Sequence, residues 1–79
     1  MRSIKEIQKD LEDVANGAAY LTMGQIMRYT GYGKEKIARM FALNGVTYIG
    51  ETKGKRYEIS SVAENIYNLQ RRLHGLLAN

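Results

Sequence analysis

The chain has 79 residues, contains no cysteine and carries a formal net charge of +4. A chain of this length forms one small domain, whose folding buries only about 60% of the surface that the unfolded chain exposes. The missing cysteines exclude disulfide bonds and thiolate metal ligands, and a single histidine cannot build a zinc site. We therefore expect one domain over residues 1–79, with an aliphatic and aromatic core, no metal and no cofactor.

The apolar runs of the chain are short. No stretch approaches the ~20 apolar residues of a membrane-spanning helix. Residues 1–14 alternate charged and apolar side chains and lack the apolar segment of a signal peptide. The sequence therefore favours a cytoplasmic protein with no membrane partner.

Positive charge is concentrated in the middle third of the chain. Residues 23–57 contain seven basic and two acidic residues, residues 1–22 contain three basic and four acidic ones, and residues 58–79 contain two of each. Clustered cations indicate a polyanionic partner, although a basic face that only contacts solvent has the same composition. The order of the predicted elements favours the polyanion.

The first predicted helix covers residues 4–16. Ser3 and Glu6 have the spacing of a capping box. Asn16-Gly17 supplies the stop signal. Apolar residues recur between them at spacings of three and four, which gives one apolar stripe. The stripe consists of Ile4, Ile7, Leu11 and Val14.

Two short helices are predicted over residues 23–44. Thr22 and Gln25 form a second capping box before a helix of about two turns, which must end near Gly31. The next helix covers residues 34–43. Its inner face holds Ile37, Met40 and Phe41. Two helices joined by a tight glycine turn are the pattern of a helix-turn-helix.

After residue 45 the pattern changes to that of β-strands. Residues 46–59 predict a β-hairpin, because β-branched and aromatic residues flank a glycine-bracketed loop at 50–54. A basic hairpin directly after the second helix of a helix-turn-helix has the layout of a wing. A final helix is predicted over residues 61–77, with Ser61 and Glu64 as a third capping box. Its apolar residues are Val62, Ile66, Leu69, Leu73, Leu76 and Leu77.

The expected fold class is therefore mainly α with a small β-hairpin. The order is helix, helix, helix, strand, strand, helix, which is that of a winged helix-turn-helix. The stripe of Leu69, Leu73 and Leu76 either covers the first helix or forms a dimer seam, and both alternatives stay open. The tyrosines among the basic residues are expected to pack the hairpin against the helices more often than to stack on bases.

Residues 20–67 resemble the excisionase-type winged helix-turn-helix family, which is related to the DNA-binding domain of MerR-like regulators. The features in common are the lead-in Tyr20-Leu21-Thr22, the Gly31 turn, the basic helix, the strand–loop–strand segment GETKGKRYEI and the serine-capped last helix. The resemblance implies sequence-specific binding of double-stranded DNA. Such proteins are often encoded by phages and other mobile elements, and serve as architectural factors in DNA recombination or as small transcription regulators.

The resemblance also implies a set of DNA-binding residues in three places. They are Thr22, Arg28 and Tyr32 around the first helix of the pair, Lys34, Lys36 and Arg39 on the second helix, and Lys53, Lys55 and Arg56 on the wing. We expect Arg39 to contact bases, with Lys34 or Lys36 second, because arginine makes bidentate contacts to guanine. The wing cations are expected to contact phosphates. Glu35 either accepts from cytosine or pairs with Arg39 one turn away.

Double-stranded DNA is the expected partner, with a second copy of the chain or an integrase as further ones. The competing hypothesis is a winged-helix interaction module that binds a repressor or an integrase and not DNA. No catalytic set is visible, because the sequence has one histidine, no GxxxxGK motif and no paired carboxylates in an apolar setting. We therefore do not expect an enzyme.

Overall fold

A computed structural model describes residues 2–51 and 53–78, with side chains up to residue 75. This part of the chain is mostly helical, with one small antiparallel sheet. Its elements in chain order are α1 (Ile4–Val14), β1 (Tyr20–Thr22), α2 (Met23–Thr30), α3 (Lys34–Asn44), β2 (Tyr48–Ile49), β3 (Arg56–Glu58) and α4 (Ile59–Ala78). None of these helices is both long and apolar enough to cross a membrane. The predicted loop residue Thr52 and the side chains of Leu76 and Leu77 lie outside the described residues.

The predicted element order is wrong at one place, because a third strand precedes the helix pair. In β1, Leu21 pairs antiparallel with Tyr57 of β3, and Thr22 pairs with Arg56. On the other side of β3, β2 places Tyr48 opposite Tyr57, so that the sheet order is β1-β3-β2. A strand of three residues is too short to show an alternating pattern. Its partner is also distant in sequence.

The ends of several elements differ from the prediction. The predicted helix over 4–16 ends at Val14, because Asn16 and Gly17 have positive φ angles of 57° and 87°. Strand pairing within the predicted hairpin is limited to residues 48–49 with 56–57. The Glu58 N–H extends this pairing by donating to the Thr47 carbonyl at 2.9 Å.

Two of the three predicted capping boxes are present, at the starts of α1 and α2. The Thr22 hydroxyl accepts from the Gln25 N–H at 3.2 Å, and the Gln25 side chain accepts from the Thr22 N–H at 2.9 Å. The third prediction is wrong, because α4 begins at Ile59 directly after β3 and Ser61 lies inside the helix. The Ser61 hydroxyl instead accepts from the Thr47 N–H at 2.8 Å, which ties α4 to the chain before β2.

The core lies between α1 and α4, on one side, and the helix pair and the sheet on the other. Ile7 and Leu11 of α1 are fully buried, and α1 packs against α4. The apolar face of α4 therefore covers α1 within the same chain, and Leu69 packs at the edge of this core. Leu73, one turn further on, is 43% exposed.

A polar contact joins α1 to α2. The Tyr29 hydroxyl donates to Asp10 at 2.9 Å, and Arg2 pairs with the same carboxylate at 2.7 Å. Partial burial and this hydrogen bond raise the pKa of Tyr29 above its ordinary value. The Tyr29 hydroxyl therefore keeps its proton to a higher pH than a free tyrosine, and the contact is lost when the hydroxyl deprotonates in alkaline solution.

Leu21→Ala should cost about 2–5 kcal/mol of unfolding free energy, because the fully buried side chain would leave a cavity. Leu43 is 74% exposed, and the same change there should alter stability by less than about 0.5 kcal/mol. Chemical denaturation of both variants measures the difference. Equal losses would show that β1 is not anchored in the core.

Tyr29→Phe should remove a contribution to stability that the wild type has at neutral pH and loses in alkaline solution. The folded protein holds the Tyr29 proton more tightly than the unfolded chain, because the pKa is raised on folding. The contribution is fully present below the unfolded pKa of about 10 and is lost as pH rises through the higher folded pKa. Urea denaturation should show the gap between wild type and variant closing above about pH 10. A gap that stays constant would contradict this assignment.

Candidate nucleic-acid interface

A glycine corner sets the direction of α3. Gly31 ends α2 in the left-handed conformation, with φ 74° and ψ 8°, and its N–H donates to the Met27 carbonyl at 2.8 Å. Gly33, the residue directly before α3, has an extended backbone with φ −74° and ψ 161° and gives the helix no side-chain cap. The left-handed conformation costs other residues about 1–2 kcal/mol. The turn therefore requires glycine at position 31 but not at position 33.

The corner leaves one face of α3 exposed. The opposite face is buried through Ile37, Met40 and Phe41. At about 100° per residue, the exposed face centres on four residues that are all open to solvent. These are Glu35, Ala38, Arg39 and Ala42. Lys34 and Lys36 lie at the two edges of this face.

Lys34 lies on the edge that faces the β2–β3 hairpin (residues 48–58), where it shares a cavity of about 370 Å³ with the hairpin cations and the start of α2. We call this space the basic cavity. It is lined by Thr22, Met23, Lys34, Lys53, Gly54, Lys55, Arg56 and Tyr57. No acidic side chain is among these residues, and clustered cations of this kind attract polyanions.

A second space of about 320 Å³ separates the exposed face of α3 from the hairpin, and we call it the alanine groove. It is lined by Met23, Ala38, Phe41, Ala42, Val46, Tyr48, Lys55 and Tyr57. The Tyr57 ring centre lies 5.0 Å from that of Phe41 and 6.1 Å from that of Tyr48. These rings pack the hairpin against α3, in the manner expected for the tyrosines of the basic segment.

Lys36 and Arg39 lie towards the other edge of α3. They line a space of about 300 Å³ between α3 and α4, the α3–α4 groove, together with Leu43, Leu69 and Arg72 among others. The Lys36 ammonium stands 3.8 Å from the centre of the Tyr32 ring. The cations therefore do not form one common surface, because Lys34 lies with the hairpin cations. Lys36 and Arg39 form a separate group beside α4.

The remaining predicted residues differ in what they offer a ligand. Thr22 lines the basic cavity, although its hydroxyl oxygen already accepts from Gln25 as the cap of α2. Arg28 is exposed on α2, and Tyr32 is half-buried beneath Lys36.

Glu35 and Arg39 do not form the ion pair that was one of the two expectations for Glu35. Among the described residues, the ion pair within 4.0 Å is that of Arg2 with Asp10. Both exposed side chains are therefore free to meet a ligand.

Two residues of the site were missed in the sequence. Arg72 lines the α3–α4 groove. It was missed because residues 58–79 contain as many acidic as basic residues and so did not stand out as a basic segment. Asn65, 2% exposed, donates to the Gly45 carbonyl at 2.9 Å and so holds the chain between α3 and β2. The signal in the sequence was the position of Asn65, a polar residue next to the apolar stripe of the predicted final helix.

Comparisons of this chain with protein-family models, with curated proteins and with solved structures returned no match. We therefore infer its function from the geometry described above and from the residues that carry the resemblance.

The same substitution at the two glycines of the corner should have opposite effects. Gly31→Ser should cost about 1–2 kcal/mol, because serine disfavours the left-handed backbone. Gly33→Ser should raise stability by a few tenths of a kcal/mol, because a serine at this helix start can cap α3. Thermal or urea unfolding measures both. Destabilisation by both changes to the same extent would contradict the backbone assignment.

Proposed function

We propose that the protein is a winged helix-turn-helix protein that binds double-stranded DNA sequence-specifically, with α3 in the major groove and the hairpin against the adjacent backbone. The observation that carries this proposal is the basic cavity, which is lined by Lys34 of α3 and by the hairpin residues Lys53, Lys55 and Arg56. Phosphate contacts of such cations supply much of the affinity of DNA-binding proteins.

The opposite edge of α3 supports the same placement. Lys36, Arg39 and Arg72 line the α3–α4 groove. A helix that enters the major groove, which is about 12 Å wide, has a phosphate strand on each side. The cations at each edge of the exposed α3 face are therefore placed to contact the phosphates of one of the two strands.

The roles of the cations follow from their positions. Arg39 belongs to the exposed face of α3, and we propose it as the principal contact to bases, where it would favour guanine. Lys34 and Lys36 lie at the edges of this face, and we assign them to phosphates with the hairpin cations. Arg28, exposed on α2, and Tyr32 are proposed as further contacts to the sugar-phosphate backbone.

We further propose that the protein serves a phage or other mobile element, as an excisionase-like architectural factor or as a small transcription regulator. The support is the resemblance of residues 20–67 to the excisionase-type family. An integrase or a second copy of the chain would be its partner on DNA. A DNA-bending assay separates the two roles, because an architectural factor bends its site.

One observation favours the competing function of a protein-interaction module. Leu43 is 74% exposed and lies in the α3–α4 groove with Leu69, between cations. An acidic repressor or integrase segment with apolar side chains would fit such a surface. Titration with random duplex DNA at low salt distinguishes the two functions, because an interaction module would bind no DNA even there.

DNA binding should weaken steeply with salt, with a log–log slope of roughly −4 to −5 if about five phosphates are neutralised. Lys53→Ala should reduce this slope by about 1 and weaken all sequences alike, whereas Arg39→Ala should relax the base preference. Fluorescence titrations on a selected and a random duplex measure both effects.

Lys5→Ala provides the control for these variants. It removes the same charge from α1, outside the three cavities, and should leave the slope unchanged. Equal losses on both duplexes for Arg39→Ala and Lys53→Ala would contradict the proposed roles.

A further inference from the structure

We propose that the alanine groove is a binding site for the C5-methyl groups of thymine. This inference rests on the proposed function, because it concerns the bases that α3 would contact in the major groove. It goes beyond that function by assigning Ala38 and Ala42, which carry no charge or hydrogen-bonding group, to sequence recognition.

The first observation is an apolar strip on the exposed face of α3. Ala38 and Ala42 stand one helical turn apart and are both exposed, beside the charged Glu35 and Arg39. They form one wall of the alanine groove, and Tyr48, 48% exposed, forms the other. The strip is therefore an apolar surface on the side of α3 that is open to a ligand.

The second observation is the charge around this strip. The Lys55 ammonium lies 4.7 Å from the centre of the Tyr48 ring, and Lys55 lines both the alanine groove and the basic cavity. Lys34 lines the basic cavity at the same edge of α3. A ligand that fits both spaces carries negative charge and projects small apolar groups between its charges.

Duplex DNA has this combination. Its phosphates lie along the groove edges, and thymine is the base that presents a methyl group in the major groove, for which alanine is a suitable apolar contact. Ala38 and Ala42 are about 6 Å apart along the helix axis. This distance is close to two base steps of about 3.4 Å. For an α3 axis that runs along the contacted DNA strand, this spacing corresponds to two thymines separated by one base.

The simplest other explanation is that alanine stands at both positions only because it is a strong helix former. Under that explanation the two methyl groups of the protein contribute to helix stability but not to base preference. An acidic protein docked against the same strip is a second alternative. Both alternatives predict that removing methyl groups from DNA has no effect on binding.

The test begins with the whole chain and a library of randomised duplexes at low salt. The best duplex recovered is resynthesised with deoxyuridine in place of thymine, one position at a time, which removes the C5-methyl group and nothing else. We expect about fourfold weaker binding for each contacted methyl group, the change that corresponds to the burial of one such group. The sensitive positions should be two, separated by one base.

Ala38→Gly and Ala42→Gly connect the effect to the groove. Each variant should lower the thymine-to-uracil affinity ratio to about one at its own position and leave the other position sensitive. Because the ratio compares two duplexes with the same variant, a loss of folded protein cancels. Ala38→Ser and Ala42→Ser, which keep the Cβ atom, should lower the ratio in the same direction if the glycine variants do not fold.

Arg39→Ala is the matched control on the same face, and it should keep the thymine-to-uracil ratio while it loses preference elsewhere in the site. Uracil substitution without effect in the wild type, or glycine variants that keep the wild-type ratio, would overturn the proposal and leave DNA binding intact. Binding of all duplexes alike would overturn the methyl site together with the sequence specificity of the proposed function, and would leave only nonspecific DNA binding. Failure to bind any duplex at low salt would instead overturn the proposed function, and the methyl site with it.

Discussion

The antiparallel pairing of β1 with β3 fixes the helix pair against the hairpin. Thr22 ends β1, pairs with Arg56 and also caps α2, so that a single residue joins the strand pairing to the start of the helix pair. Leu21 is fully buried opposite Tyr57. A slip of this pairing by one residue would turn Leu21 to solvent and move the hairpin cations relative to Lys34. The basic cavity depends on this register.

A second attachment holds the other end of α3. The Asn65 amide donates to the Gly45 carbonyl at 2.9 Å, and the Ser61 hydroxyl accepts from the Thr47 N–H at 2.8 Å. Both side chains come from α4, which is itself packed against α1. The hairpin is thus attached to β1 on one side and to α4 on the other. Such attachment reduces the ordering that a charged loop would otherwise undergo when it binds.

Local patterns predicted much of this architecture, because they depend on residues three or four positions apart. The apolar stripes, the caps at Ser3 and Thr22 and the corner at Gly31 are of this kind. The two larger errors involve contacts that are distant in sequence: β1 is stabilised by β3, and Ser61 bonds to Thr47 and does not cap a helix. Composition likewise indicated a basic segment, but only the folded chain shows which cations lie on each edge of α3.

The most direct test of the account is an amide chemical-shift titration of the ¹⁵N-labelled protein with a short DNA duplex. We predict that the amides of residues 34–42 and 53–56 shift together along one binding curve, while those of α1 stay in place. Shifts confined to α1 and the outer side of α4, or shifts on α3 with none in the hairpin, would contradict the joint contact of α3 and the hairpin with DNA.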